Sequence, residues 1–256
     1  MRAPAACAVL VTLAAGCGGS SKPLAAQGGK LPTLTAHCGS RLDAKVGWFR
    51  ASDGVLLDGA AVGDGKTGVV LAHESPADLC GWTRYAAVLS RAGFRVLLFD
   101  HRGFGLSQSP DDPSKEGRFS RDLDGAVAEL KREGADRVFL MGASFGGVTS
   151  MVAGSRLGSR IAGVISVSGE ARLGSRRELD ALTAVRTLRV PFLILGSRED
   201  GFLPAANARA LLERAASSHK RLVLFPGSYH GWDLFSDSPS RARASKAVIE
   251  FLHRYG

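Results

Sequence analysis

Five short apolar runs occupy the middle of the chain: "GVVLAH" at 68–73, "FRVLLFD" at 94–100, "RVFLMG" at 137–142, "IAGVISVS" at 161–168 and "VPFLILG" at 190–196. "KRLVLFP" at 220–226 is a sixth of the same kind. Polar and apolar residues do not alternate within them, so strands made from them must be covered on both faces. Segments with helical spacing lie between. "WTRYAAVLSRAG" (82–93) ends at Gly93, and "RFSRDLDGAVAELKREG" (118–134) puts Phe119, Leu123, Ala126, Val127 and Leu130 on one helical face. Further helices are expected at 145–157, 178–185, 204–216 and 239–254. Strands alternating with helices imply an α/β domain with a mostly parallel sheet and helices on both faces.

Upstream, "VGWFRA" (46–51) and "VLLDGAAV" (55–62) read as two strands joined by the turn "SDG", able to form an antiparallel edge. "GDGKT" (63–67) reads as another hairpin turn. It falls one residue short of a phosphate-binding loop, because Ala60 stands where that motif needs glycine, and a strand rather than a helix follows. The 256 residues show no internal repeat, and one domain is expected over 45–256.

In parallel sheets of this kind, sites form beyond the carboxyl ends of the strands. The loops there carry His73–Ser75, Asp100, Ser144, Glu170, Asp200 and His230. "GASFG" at 142–146 fits G-x-S-x-G between a strand and a helix. Two glycines allow the sharp turn that lifts Ser144 to the sheet edge, and the Phe145 amide then opens a helix toward an oxyanion. A serine hydroxyl is a weak nucleophile without a base, and the chain supplies an acid and a histidine in the order Ser, Asp, His. His230 combines the last-strand position with flanking glycine. His37, His219 and His253 fall on surface loops or the last helix. Asp200 competes for the acid with its neighbour Glu199 and with Glu170.

With "DHRGFGLS" at 100–107, "GASFGG" at 142–147 and "HGW" at 230–232, the chain resembles a serine hydrolase of the α/β-hydrolase fold, esterase- or lipase-like, over about residues 45–254. The resemblance implies Ser144 as nucleophile, His230 as general base and Asp200 as the acid that orients it. It assigns Asp100 and His101 to a structural turn. It also implies an oxyanion hole made by the amides of Phe145 and, by position, Ser75. Glu74 stands where the family commonly has glycine, pointing either to solvent or into the substrate site. Phe104, Phe145, Phe202, Leu203 and Trp232 are candidate apolar walls, with ordinary packing as the alternative. The stretch from Ser168 to Arg189 is too short for a large cap, so a fairly open site is expected.

The N-terminus, "MRAPAACAVLVTLAAGC", has one early arginine, an apolar stretch and then small residues, the pattern of an export signal. "LAAGC" resembles a bacterial lipobox. On that reading residues 1–17 are a lipoprotein signal, Cys17 is the lipidation site, and 18–44 form a tether and N-terminal extension. The protein would be exported and anchored to the outer face of the cell membrane, otherwise secreted. Outside the cell, Cys38 in an N-terminal loop and Cys80 after a strand are a candidate disulfide.

The net charge of +9 comes mostly from scattered arginine, without the basic–aromatic interleaving of a nucleic-acid surface. No Cys or His pair has metal-ligand spacing, and a Ser–His–Asp mechanism needs no cofactor. The primary reading is hydrolysis of a small-molecule or lipid carboxylic ester. The alternatives are acyl transfer to a cell-envelope acceptor and a non-catalytic ligand-binding lipoprotein. Oligomeric state is not legible.

Overall fold

The computed structural model describes residues 32–175 and 179–256. The signal segment, Cys17 and the tether as far as residue 31 lie outside the described residues. Eight strands, β1 (Lys45–Arg50), β2 (Leu56–Val62), β3 (Thr67–Ala72), β4 (Arg95–Phe99), β5 (Arg137–Ala143), β6 (Gly163–Val167), β7 (Phe192–Ser197) and β8 (Lys220–Phe225), form one sheet in the order β1-β2-β4-β3-β5-β6-β7-β8. From β4 to β8 every pairing is parallel, while β1 pairs antiparallel with β2 and β2 with β4.

The apolar runs become strands because consecutive side chains leave on opposite faces and both faces are covered. Val70, Ala72, Leu97, Phe99, Val138, Leu140, Val164, Phe192 and Ile194 belong to one core. There they meet α3 (Ser120–Arg132), α4 (Phe145–Leu157), α5 (Ala181–Ala184) and α6 (Ala205–Arg214). Their neighbours Val69, Leu71, Val96, Leu98, Phe139, Met141, Ile165, Leu193 and Leu195 build the opposite core with α2 (Thr83–Arg91) and α8 (Arg241–Tyr255). Of the expected face of α3, Leu123, Ala126, Val127 and Leu130 are buried.

The "GDGKT" hairpin is corrected. The chain does reverse there, but β2 and β3 are not partners, because β4 lies between them. Gly63 and Gly65 pass directly against the backbone at Gly93 and Phe94, where a Cβ on either would meet a carbonyl oxygen at 2.3 and 2.0 Å. Arg95 fastens the crossing by donating to the carbonyls of Asp64 and Gly65. Turn chemistry specified a reversal, and β4 took the place beside β2.

Cys38 is not in a loop. Leu34–Cys38 forms α1, capped by the Thr33 hydroxyl accepting from Ala36 N–H. Leu34 is buried, and Cys38 is disulfide-bonded to Cys80 with Cα atoms 5.2 Å apart. Cys80 lies in a 3₁₀ turn, Leu79–Trp82, that precedes α2. A last short helix, α7 (Asp233–Ser236), follows the His230 loop. Among the described residues no helix is long and apolar enough to cross a membrane.

Candidate active site

Ser144 sits between β5 and α4 with φ 47° and ψ −115°. A positive φ is costly for a residue with a Cβ and persists only where the surroundings enforce it. Here they do. Ser144 N–H donates to Val167 O at 2.8 Å, and a Cβ on Gly142 would meet Gly146 O at 2.1 Å. A Cβ on Gly146 would meet Ala72 O at 2.2 Å. Only glycine at both positions lets the first turn of α4 close against β5 and the end of β3. Ser144 is 8% exposed.

One strand over each time, the loops after β6, β7 and β8 bring up Glu170, Asp200 and His230. The Asp200 carboxylate, 3% exposed, accepts from His230 Nδ1 at 3.0 Å with each oxygen. The backbone N–H groups of Phe202 and Leu203 also donate to it, at 2.9 and 3.2 Å. Burial alone would raise the Asp200 pKa, but the His230 hydrogen bond and that of Phe202 outweigh it and hold the carboxyl below its ordinary value. Burial alone would lower the His230 pKa. The hydrogen bond and charge of Asp200, joined by the charges of Glu74 and Glu170, reverse this and raise it. Glu199 is turned away, accepting from Gly227 N–H. The Ser144 hydroxyl and His230 are not hydrogen-bonded to each other in this structure; such contacts are commonly long in unliganded sites.

The loop after β3 is fixed by His73. Its Nε2 accepts from His101 N–H at 3.0 Å, so the ring proton lies on Nδ1, which donates to Glu74 O at 2.7 Å. Burial, with His101 beside it, holds the His73 pKa down to about 3, so the ring is neutral. Ser75 follows and is exposed. Among the described residues neither the Ser75 nor the Phe145 amide is used in a hydrogen bond. Glu74 does not point to solvent. Its side chain is half-buried and accepts from Trp232 N–H at 2.8 Å.

The candidate walls differ in where they lie. Phe202 is 64% exposed, the one large exposed hydrophobic among the described residues, with its ring 4.6 Å from that of His230. Phe104 is half-buried against His73 and Phe145, ring centroids 5.1 and 5.8 Å away. Leu203 is wholly buried in the core and lines nothing. Trp232 packs its indole flat on Gly81, where a Cβ would meet Cη2 at 2.2 Å.

The "HRGFG" turn is held by groups that local sequence does not reveal. Asp100 accepts from Leu79 N–H and Leu106 N–H, while Arg102 is buried between Asp53 and Asp122 at 2.8 and 2.7 Å. An arginine inside a glycine-rich turn was the available signal; its partners lie far along the chain. Two residue sets among those described could offer three ligand atoms to a metal. One includes the disulfide sulfurs. The other, His37, Asp58 and Asp100, uses the carboxylate that already fixes the turn.

A family model described as alpha/beta hydrolase fold matches residues 69–183, and one described as serine aminopeptidase, S33, matches residues 176–237. An epoxide hydrolase 3 of Siraitia grosvenorii is 33% identical over 99 residues, 38% of this chain and 30% of that protein. The mouse serine hydrolase BPHL is 32% identical over 114 residues, 43% of this chain and 38% of that protein. The chain therefore spans well under half the length of these relatives. The solved Pyrococcus furiosus esterase Pf2001 superposes with TM-score 0.72 at 18% identity, covering 88% of this chain and 96% of that one. The chain has the α/β-hydrolase fold.

Proposed function

We propose that the protein is a serine hydrolase that cleaves carboxylic esters through an acyl-enzyme on Ser144. The observation that carries the reading is the enforced positive φ of Ser144 at the carboxyl end of β5. That turn presents a hydroxyl at the carboxyl end of the sheet where His230 and Asp200 already pair. In this reading His230 takes the Ser144 proton as the oxygen attacks the ester carbonyl, and gives it to the departing alcohol. Asp200 holds the ring with Nδ1 protonated and stabilises the imidazolium. The amides of Phe145 and Ser75 receive the oxyanion, each worth about 10²–10³ in rate.

Small or surface-presented acyl esters suit the site best. Between Ser168 and Arg189 the regular structure among the described residues is α5 and short 3₁₀ turns, and Phe202 offers an exposed apolar surface beside His230. Likeness to the fold of a solved esterase and to a protein named serine hydrolase supports the serine-hydrolase reading, and leaves the size of the ester to the site itself. We also propose export and a lipid anchor at Cys17, which palmitate labelling lost in Cys17→Ser would test.

The deciding experiment is fluorophosphonate labelling of the purified protein, with the modified peptide located by mass spectrometry. A stoichiometric adduct on Ser144, lost in His230→Ala, is expected. Folded protein that takes no adduct would remove the serine-hydrolase reading and leave a ligand-binding lipoprotein.

A further inference from the structure

Glu74 is an unusual residue to find on a loop that faces a developing oxyanion. A carboxylate aimed into that space would oppose the charge formed during ester cleavage. The fold turns it elsewhere. Its Oε1 accepts from the backbone N–H of Trp232, 158 positions away, and its carboxyl group lies against the Cα of Gly231. A Cβ on Gly231 would meet Oε1 at 2.2 Å, and Gly231 has φ 52°. A larger residue there would push the carboxylate off the Trp232 amide. Gly231 and Trp232 directly follow His230, so the loop after β3 grips the loop after β8 at the histidine.

The grip is supported from below. Trp232 lies on Gly81 and meets Trp82 edge-on at 5.9 Å, while Trp82 Nε1 donates to Ala72 O at the end of β3. Both ends of the Glu74–Trp232 contact therefore rest on the same 3₁₀ turn. The groups that face His230 are Asp200 from the loop after β7, Glu170 from that after β6, Glu74 from that after β3, and Asp233 at the start of α7. Asp200 takes Nδ1. Glu170 makes no hydrogen bond among the described residues, which leaves Glu74 as the acid that both holds the His230 loop and acts on its ring through charge; burial raises the Glu74 pKa, and the Trp232 N–H and the charge of His230 work against that rise.

We propose that Glu74 is a positioning residue for His230, fixing the loop through the Trp232 amide and placing a negative charge beside the imidazolium that forms as Ser144 attacks. The proton travels from Ser144 Oγ to His230 and on to the leaving alcohol; Glu74 gains and loses none. This rests on the reading of His230 as general base.

The test uses the purified, unlabelled protein with p-nitrophenyl butyrate, with fluorophosphonate labelling of Ser144 checked on a separate sample of the wild type. Glu74→Gln keeps an oxygen for the Trp232 amide and removes only the charge. It should keep the wild-type melting temperature and move the acid limb of kcat/KM down by about half a pH unit. Glu74→Ala removes both and should lower kcat about 10-fold or more with KM little changed. A Glu74→Gln acid limb identical to wild type, in an enzyme that labels and turns over, overturns the proposal while leaving the serine-hydrolase reading intact. A wild type that neither labels at Ser144 nor hydrolyses the ester overturns both. If Glu74→Ala does not fold, Glu74→Gln alone decides.

Discussion

Both carboxylate oxygens of Asp200 lie 3.0 Å from Nδ1 of His230, so the acid holds the ring in one tautomer, with Nε2 free to take a proton. Asp200→Asn keeps the shape but offers an amide that can donate to Nδ1 and favour the wrong tautomer. We expect kcat to fall about 10⁴-fold, by analogy with the serine-protease case from which that magnitude comes. Unchanged turnover in Asp200→Asn, measured with the same ester, would remove Asp200 from the mechanism.

A general base must be unprotonated before it acts, and the pKa of His230 is raised above its ordinary 6.5. The kcat/KM of the free enzyme should therefore fall as pH drops through a midpoint above 6.5. The raised value comes from negative neighbours, so Glu170→Gln should move the midpoint down, in the same direction as Asp200→Asn. A kcat/KM profile with its acid limb well below 6.5 would contradict the charge arrangement around His230.

The apolar runs were enough to read the parallel sheet, because residues such as Val69 and Val70 must both be covered and only a two-faced sheet does that. The loops that carry Ser144, Asp200 and His230 could be placed for a related reason: each leaves a strand whose end could be read, Ser144 at once after β5, Asp200 and His230 a few residues beyond β7 and β8. What was not legible is long-range. No local pattern places β4 between β2 and β3, since a turn sequence specifies a reversal and not a partner. Neighbouring Phe202 and Leu203 look alike in sequence, yet one is exposed beside His230 and the other is core. The direction of Glu74 depends on an amide 158 positions away.

The Cys38–Cys80 bond closes a separation of 42 residues and ties α1 to the 3₁₀ turn on which Trp232 rests. Restricting that loop in the unfolded chain is worth about 4 kcal/mol in the chain-entropy model. Cys38→Ser/Cys80→Ser should therefore lose stability of about 2–5 kcal/mol, read from the guanidinium midpoint against the oxidised protein. A midpoint equal to that of the oxidised protein would show that the bond contributes nothing to the stability of the domain.

Asp58 gives the clearest dependence of stability on pH. It is 5% exposed in β2, with Asp100 and Asp78 as like charges nearby and His37 close on α1. Burial, then the charge of Asp100, pushes its pKa up to about 7. A carboxyl whose folded pKa exceeds its unfolded one stabilises the fold below the unfolded pKa, and that stability is lost as pH rises through the folded pKa. The loss here should run from about pH 4 to about 7 and amount to a few kcal/mol, on the order of 1.4 kcal/mol for each pH interval of one across that window. Asp58→Asn keeps the shape without the charge. Its melting temperature should gain on wild type across that window and then hold a constant lead at higher pH. A difference between the two proteins that stays flat from pH 4 to 8 would mean that Asp58 does not carry a raised pKa.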